Sequence, residues 1–352
     1  MGSAAAKHLQ ARGARVLGLE ALGRAHPHGS SGGRSRIIRL SYFEHPDYVP
    51  LLRRAWDLWR ALEAEAGEPL LERTGGLYLG PQDGTLVAGS LRSAQAHGLA
   101  HEVIGADELR HRFPALRPDP SWQGVVEEQA GVLVPERAIE AHLACAERDG
   151  AVLHFGERVR DWRPDGDGVV ITTDRGVHRA SALVLTAGPW LSALLPGLPL
   201  RVERVPLFWF EPAAPVGTLP VWIAETPDGD FYGFPPDADG LKVARHGSGD
   251  TAVPDALDRA PRAADEERVR RFTRRHLPAA DGPLRSTHVC MYTLTPDRHF
   301  VIARDGPLAY ASACSGHGFK FSTVVGEILA DLALDGRTAH PIGFLSPARF
   351  RS

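Results

Sequence analysis

MGSAAAKHLQARGARVLGLE, residues 1–20, reads in order as helix, tight turn, strand and carboxylate. A small-residue turn (Gly2, Ser3, Ala4) leads into a helical stretch from Ala5 to Arg12. Gly13 ends it, and the apolar run Val16 to Leu19 finishes on Glu20. A dinucleotide-binding unit has these parts after its glycine-rich turn, with the acid on the ribose hydroxyls roughly 20 residues past the first glycine. The opening strand and first glycines of that unit are not in the stretch, and Gly2 stands as its last glycine. The expectation is that Met1 is internal to the motif, with an apolar strand encoded roughly a dozen residues upstream. A transit peptide is the rival reading, since the first 24 residues are basic-rich with one acid. Such a peptide has no need of an apolar strand capped by Glu20.

At 352 residues, the chain exceeds one ordinary core and two domains are expected. Hydrophobic residues at 43% and a net charge of −3 fit a globular protein with no nucleic-acid or anionic-membrane partner. No apolar run has the length of a membrane span. Cys145, Cys290 and Cys314 have no C-x-x-C spacing, which points away from a disulfide framework and toward a cytoplasmic setting. The histidines show no metal-ligand spacing, so no metal is expected.

Helical periodicity is strong from Tyr48 to Ala66 and from Glu136 to Glu147, with a further helix near Ser90 to His97. Strands are expected at Gly76–Leu79, Ala151–Phe155, Val159–Trp162, Val169–Thr173 and Ala182–Thr186, the last two flanking an Asp174-Arg175-Gly176 turn. The Leu183–Thr186 run reads as a buried parallel strand ending in Gly188, where backbone can approach a ligand. Residues 201–245 alternate and are rich in aromatics, as in an antiparallel sheet. A polar helix, Ala264–Leu277, follows. The chain then returns to its first style, with a strand at Leu308–Ala313, a glycine turn and a helix from Ser322 to Leu334.

Six motifs bear on chemistry. Gly29-Ser30-Ser31-Gly32-Gly33 matches a nucleophile pattern but lacks the apolar strand that pattern needs, so a loop lying against a cofactor is the better reading. Ser35-Arg36-Ile37-Ile38-Arg39 sets two arginines around a β-branched pair, suited either to a solvated face or to an anion. Ser315-Gly316-His317-Gly318-Phe319-Lys320 sits between strand and helix, where backbone N–H groups meet a ligand and Lys320 is flanked by phenylalanines. Val289-Cys290-Met291-Tyr292-Thr293 buries one thiol, which is ordinarily just a small apolar residue. Tyr232-Gly233-Phe234-Pro235 and Gly240-Leu241-Lys242, with His246, lie in the aromatic-rich segment.

In this order the motifs resemble the monomeric sarcosine oxidase and N-methyl-tryptophan oxidase group of flavoproteins, of the D-amino-acid-oxidase-like fold, from Gly2 to the C-terminus. The resemblance implies an α/β plus α+β architecture. Its Rossmann-like FAD-binding domain is discontinuous (residues 1–71, 132–201 and 297–352), with the first strand missing. A mixed antiparallel-sheet substrate domain takes residues 72–131 and 202–296. Glu20 is then expected on the adenosine ribose, and Val159 and Gly188 on FAD through the backbone. Gly2, Ser35, Arg36, Trp190, Gly316, Gly318 and Phe319 complete the cofactor set, and Cys290 carries the flavin as a thioether. Arg39 and Lys320 are expected to clamp a substrate carboxylate, Lys242 to sit over the flavin and assist oxygen, and Tyr232, Tyr292 and His246 to line the substrate pocket. Many relatives carry histidine where this loop has Gly32. The activity implied is oxidation of a secondary amino acid by a monomeric enzyme, with oxygen reduced to hydrogen peroxide. A flavin-binding protein of impaired activity, or an amine dehydrogenase using another acceptor, is the alternative.

Overall fold

The computed structural model describes residues 1–247 and 249–350. Helix α1 (Gly2–Ala11) begins three residues before the expected start, because Gly2 to Ala6 are small enough to pack tightly. A Cβ on Gly326, in the last long helix, would sit 2.6 Å from the Ala4 Cβ. Ala4, Ala5 and Ala6 are buried, so the opening stretch is part of the packed fold, against the transit-peptide reading.

Strands β1 (Leu17–Glu20) and β2 (Arg36–Ile38) precede α2 (Tyr48–Ala66), β3 (Leu71–Arg73) and β4 (Gly76–Pro81). Next come α3 (Thr85–His97), β5 (Glu102–Gly105), α4 (Ala106–Arg112), β6 (Trp122–Glu127), β7 (Gly131–Leu133) and α5 (Pro135–Arg148). The middle holds β8 (Val152–Phe155), β9 (Val159–Asp165), β10 (Gly168–Thr173), β11 (Val177–Ala180), β12 (Leu183–Leu185) and α6 (Leu191–Leu194). The aromatic-rich part is β13 (Arg201–Phe210), β14 (Val221–Thr226), β15 (Gly229–Gly233), β16 (Leu241–Arg245), α7 (Ala263–His276) and β17 (Leu284–Leu294). Last are β18 (Val301–Asp305), β19 (Leu308–Ser312) and α8 (Ser322–Asp335).

Helix α2 shows why the periodicity was legible. Val49, Leu52, Trp56 and Trp59 recur at three- and four-residue spacing, all are buried, and left-handed Gly67 stops the helix. One correction concerns the Asp174-Arg175-Gly176 turn. It joins β10 to β11, an antiparallel partner, while the Leu183–Leu185 strand leaves to pair in parallel with β19. β11 is Val-His-Arg-Ala and mostly exposed, so no apolar alternation marked it.

The parallel layer is split. β1 pairs in parallel with β8, and β12 belongs to the separate β12-β19-β18 sheet. Among the described residues no strand lies between the free edges of β1 and β12, and both edges line one cavity. An eight-stranded sheet, ordered β17-β13-β16-β15-β14-β4-β6-β5, is antiparallel except where β14 meets β4. One hydrophobic core unites α2, α5 and α8 with β18 and β19. A second unites the larger sheet with α7, through Phe208, Trp222, Phe231 and Phe272. The cavity lies between the two.

Candidate active site

The cavity has a volume of about 1370 Å³ and runs from α1 to the glycine turn before α8. At one end, the first backbone hydrogen bond of α1 is from Ala5 N to Met1 O, and no side chain caps the helix. The N–H groups of Gly2 and Ser3 therefore have no helical acceptor, and both residues line the cavity. Helix start and free donors together make a site for a phosphate group. A Cβ on Gly2 would lie 2.8 Å from Thr186 Oγ1, so the helix reaches β12 only because that residue is glycine. Glu20 closes β1 beside it. Burial opposes its charge, but bonds from His26, Leu22 and Ala21 hold its carboxyl below the usual range. Val159, Trp190 and Gly188, whose φ is +55°, line the same end. The Trp190 indole donates to Asp255 Oδ1 at 2.8 Å.

The middle is built on the 29–36 loop. Arg36 ties this loop to itself, donating to Ser35 O at 2.9 Å, Ser30 O at 3.1 Å and Gly32 O. Its Nη2 also comes within 3.5 Å of Cys290 Sγ on β17. A Cβ on Gly32 would sit 2.6 Å from Pro27 O and 2.9 Å from Pro27 Cα, so this loop closes on itself in a way a histidine would prevent. Lys242 and Ser35 depart from expectation: neither lines the cavity. Lys242 Nζ donates to Gly33 O at 2.6 Å, Ser35 O at 2.9 Å and Ser35 Oγ at 3.1 Å, which draws the ammonium behind the loop. Burial, then Arg36, lowers its pKa well below the ordinary value.

At the far end Arg39, Lys320, Tyr232, His246 and Tyr292 all face the cavity, with Gly316, Gly318 and Phe319. Tyr292 and His246 are 3.4 Å apart (Oη to Nδ1), and burial lowers the imidazole to about 4, so it is neutral at pH 7. Gly316 has φ +83°, and a Cβ there would strike the Tyr292 ring at 2.8 Å and His246 Cε1 at 2.9 Å. Only glycine lets the turn meet both rings. The expected clamp of two free cations is modified, because Arg39 already has an anion. Its Nη2 donates to both oxygens of Glu44, at 2.8 and 2.6 Å. Against burial, Arg39, His317 and Lys320 hold the Glu44 carboxyl down to about 2. Lys320 Nζ donates to His317 O at 2.8 Å, and burial, then Arg39, lowers its pKa to about 7. Glu44, His317 and Asp230 line this end as well and were not singled out from the sequence. The available signal for Glu44 was an acid five residues after Arg39.

The ligand atoms of His154, Glu157 and His178 lie within 4.8 Å of one another, a grouping that spacing hid because His178 is on the overlooked β11. Both Glu157 oxygens accept hydrogen bonds: from His178 at 2.7 Å, Thr173 at 2.7 Å and His154 at 2.8 Å. These bonds hold the carboxyl at about 2 and account for its charge without an ion.

The family model described as FAD dependent oxidoreductase matches residues 1–332. The chain belongs to that family. It is 45% identical to a monomeric sarcosine oxidase of Streptomyces avermitilis, over 99% of this chain and 95% of the relative. It is 36% identical to an N-methyl-L-tryptophan oxidase of Salmonella typhimurium, over 99% and 95% of the two chains. Among solved structures, NikD, an unusual amino acid oxidase essential for nikkomycin biosynthesis, superposes with a TM-score of 0.88 at 29% identity, covering 98% of this chain and 94% of NikD. An L-proline dehydrogenase from P. horikoshii shares the fold, with a TM-score of 0.86 at 22% identity over 99% of this chain and 94% of its own length. The residues present fit the family's cofactor. Uncapped donors at α1, an acid at the end of β1, a left-handed glycine at Gly188 and a thiol beside a guanidinium all line one cavity of about 1370 Å³. The protein is an FAD-dependent, amine-oxidising flavoenzyme.

Proposed function

We propose that the enzyme oxidises a secondary amino acid, N-methyl or cyclic, to its imine, with oxygen as the final acceptor. One observation carries this reading: Arg39 and Lys320 face the same cavity end as three neutral rings, Tyr232, His246 and Tyr292. FAD, when bound, takes two electrons with the hydride of the substrate's α-carbon or N-methyl carbon and gives them to oxygen as hydrogen peroxide. Glu20, Val159, Gly188 and Trp190 hold its adenosine half, and the N–H groups of α1 its phosphates. Cys290, whose Sγ lies 3.5 Å from Arg36 Nη2, would hold the flavin as a thioether.

The chain's own part is positioning and electrostatics. The substrate carboxylate meets the Arg39 guanidinium, shared with Glu44, and the Lys320 ammonium. A bidentate guanidinium fixes the orientation of a carboxylate, and the ammonium adds a point charge. The neutral rings surround the amine without competing for its proton. Lys242 acts on oxygen from behind the 33–35 loop. Imine hydrolysis adds one water and releases carbonyl product and amine, which for an N-methyl substrate are formaldehyde and the primary amine. A monomer in the cytoplasm suits the three free thiols.

The test is peroxide and imine-hydrolysis product from the FAD-loaded full chain, supplied with N-methyl and cyclic amino acids, their primary counterparts and their descarboxy amines. Turnover of secondary amino acids above both controls supports the reading. Equal turnover of the descarboxy amines would overturn the carboxylate clamp, and peroxide from primary amino acids alone would overturn the substrate class.

A further inference from the structure

Among the described residues, the Asp230 carboxylate faces the cavity with no bonded partner. Along β15, Asp230 and Tyr232 are half-buried and line the cavity, whereas Phe231 and Gly233 are buried on the other face. That period of two fixes Asp230 on the substrate side of the sheet. Among the described residues no hydrogen bond or ion pair engages its carboxylate; only its backbone oxygen is used, by His246 N at 2.7 Å. Directly opposite on β14 stands Glu225. Like charges in facing positions destabilise a sheet, and here only one of the two has a structural task. The Glu225 oxygens accept the N–H groups of Thr85 and Leu86 at 3.1 and 2.7 Å, capping α3.

The field at Asp230 is that of an unmatched acid. Burial, then Glu225 and Glu44, raises its pKa to about 6, and Arg245 and Arg298 oppose this without reversing it. Two residues of strand separate Asp230 from Tyr232, about 7 Å, toward the exposed turn at residues 227–228. A substrate held by its carboxylate among Arg39, Lys320 and the rings would therefore extend its side chain toward this acid.

We infer that Asp230 selects for a cation at the end of the substrate's side chain, so that the preferred substrates are secondary amino acids bearing a side-chain ammonium or guanidinium. This rests on the amino-acid oxidase reading above. Such a cation would pair with Asp230 and relieve the repulsion among Asp230, Glu225 and Glu44, which a neutral side chain leaves in place.

The FAD-loaded full chain should show kcat/KM for Nα-methyl-lysine at least tenfold above that for the neutral near-isostere Nα-methyl-norleucine. Asp230→Asn should bring this ratio close to one, through a fall in kcat/KM for Nα-methyl-lysine. Binding gives a second readout free of turnover: 6-aminohexanoate should raise the melting temperature more than hexanoate in the wild type, and no more than hexanoate in Asp230→Asn. A wild-type ratio near one would overturn the inference even where secondary amino acids are oxidised, as would a preference unchanged by Asp230→Asn. If 6-aminohexanoate is preferred but no secondary amino acid yields peroxide, the oxidase reading fails while the assignment of Asp230 stands.

Discussion

Replacing Lys320 with methionine should stabilise the protein and cripple carboxylate binding at the same time. The ammonium is buried beside Arg39, and its pKa falls from the ordinary 10.5 to about 7. That gap disfavours the charged form by about 4 to 5 kcal/mol in the folded state, at about 1.4 kcal/mol per tenfold change. The unfolded chain keeps Lys320 protonated up to about pH 10.5, so it binds more protons than the folded chain between the two values. The penalty on folding is therefore full below pH 7, fades as the pH rises, and is gone by about pH 10.5. Methionine escapes it but leaves the His317 carbonyl without its 2.8 Å donor, a loss of about 1 to 3 kcal/mol. The net expectation is a gain of about 1 to 4 kcal/mol at pH 7, measured by urea unfolding, that shrinks toward zero or below at pH 10. Carboxylate ligands need the ammonium. Lys320→Met should weaken them by about 30-fold or more, and in the wild type their affinity should decline as the pH rises above 7, by up to tenfold per pH unit. A less stable variant at pH 7, or carboxylate affinity that is flat from pH 6 to 9, would refute the reasoning.

Cys290→Ala should release all flavin on acid precipitation, whereas the wild-type pellet stays yellow; the mass of active holoenzyme decides the point, and an unmodified polypeptide mass sinks the thioether. Gly32→His should cost about 1 to 3 kcal/mol, because its Cβ meets the Pro27 backbone at 2.6 Å; a melting temperature equal to the wild type's would show that the loop opens freely. Lys242→Met should leave anaerobic flavin reduction by substrate largely intact and slow reoxidation by oxygen by about 10²- to 10³-fold, which stopped-flow absorbance measures; reoxidation at the wild-type rate would exclude a role in the oxygen step.

Periodic elements were readable because periodicity is local. The buried stripe of α2, the apolar face of α5 and the strand–glycine–helix passage into α8 each follow from residues within one or two turns of each other. The resemblance of ordered motifs likewise named the cofactor and the residues to look for. β11 escaped because a short exposed strand carries no apolar alternation, its pairing with β10 being set by the turn.

Charges were a different matter. Arg39, Lys320 and Lys242 are three cations in the sequence, and nothing local separates their states. Folding brings Glu44 onto Arg39, pulls Lys242 onto carbonyls more than 200 residues away, and leaves Lys320 under-solvated with one backbone acceptor. It also spends Glu225 as a helix cap while its cross-strand neighbour Asp230 faces the cavity alone. Hydrophobic pattern is a property of neighbours along the chain, so the sequence by itself determined the order of elements and their apolar faces. A buried charge is decided by desolvation and by whichever groups the tertiary structure sets within a few ångströms, so only the fold determined which cation is free to bind and which acid remains unpaired.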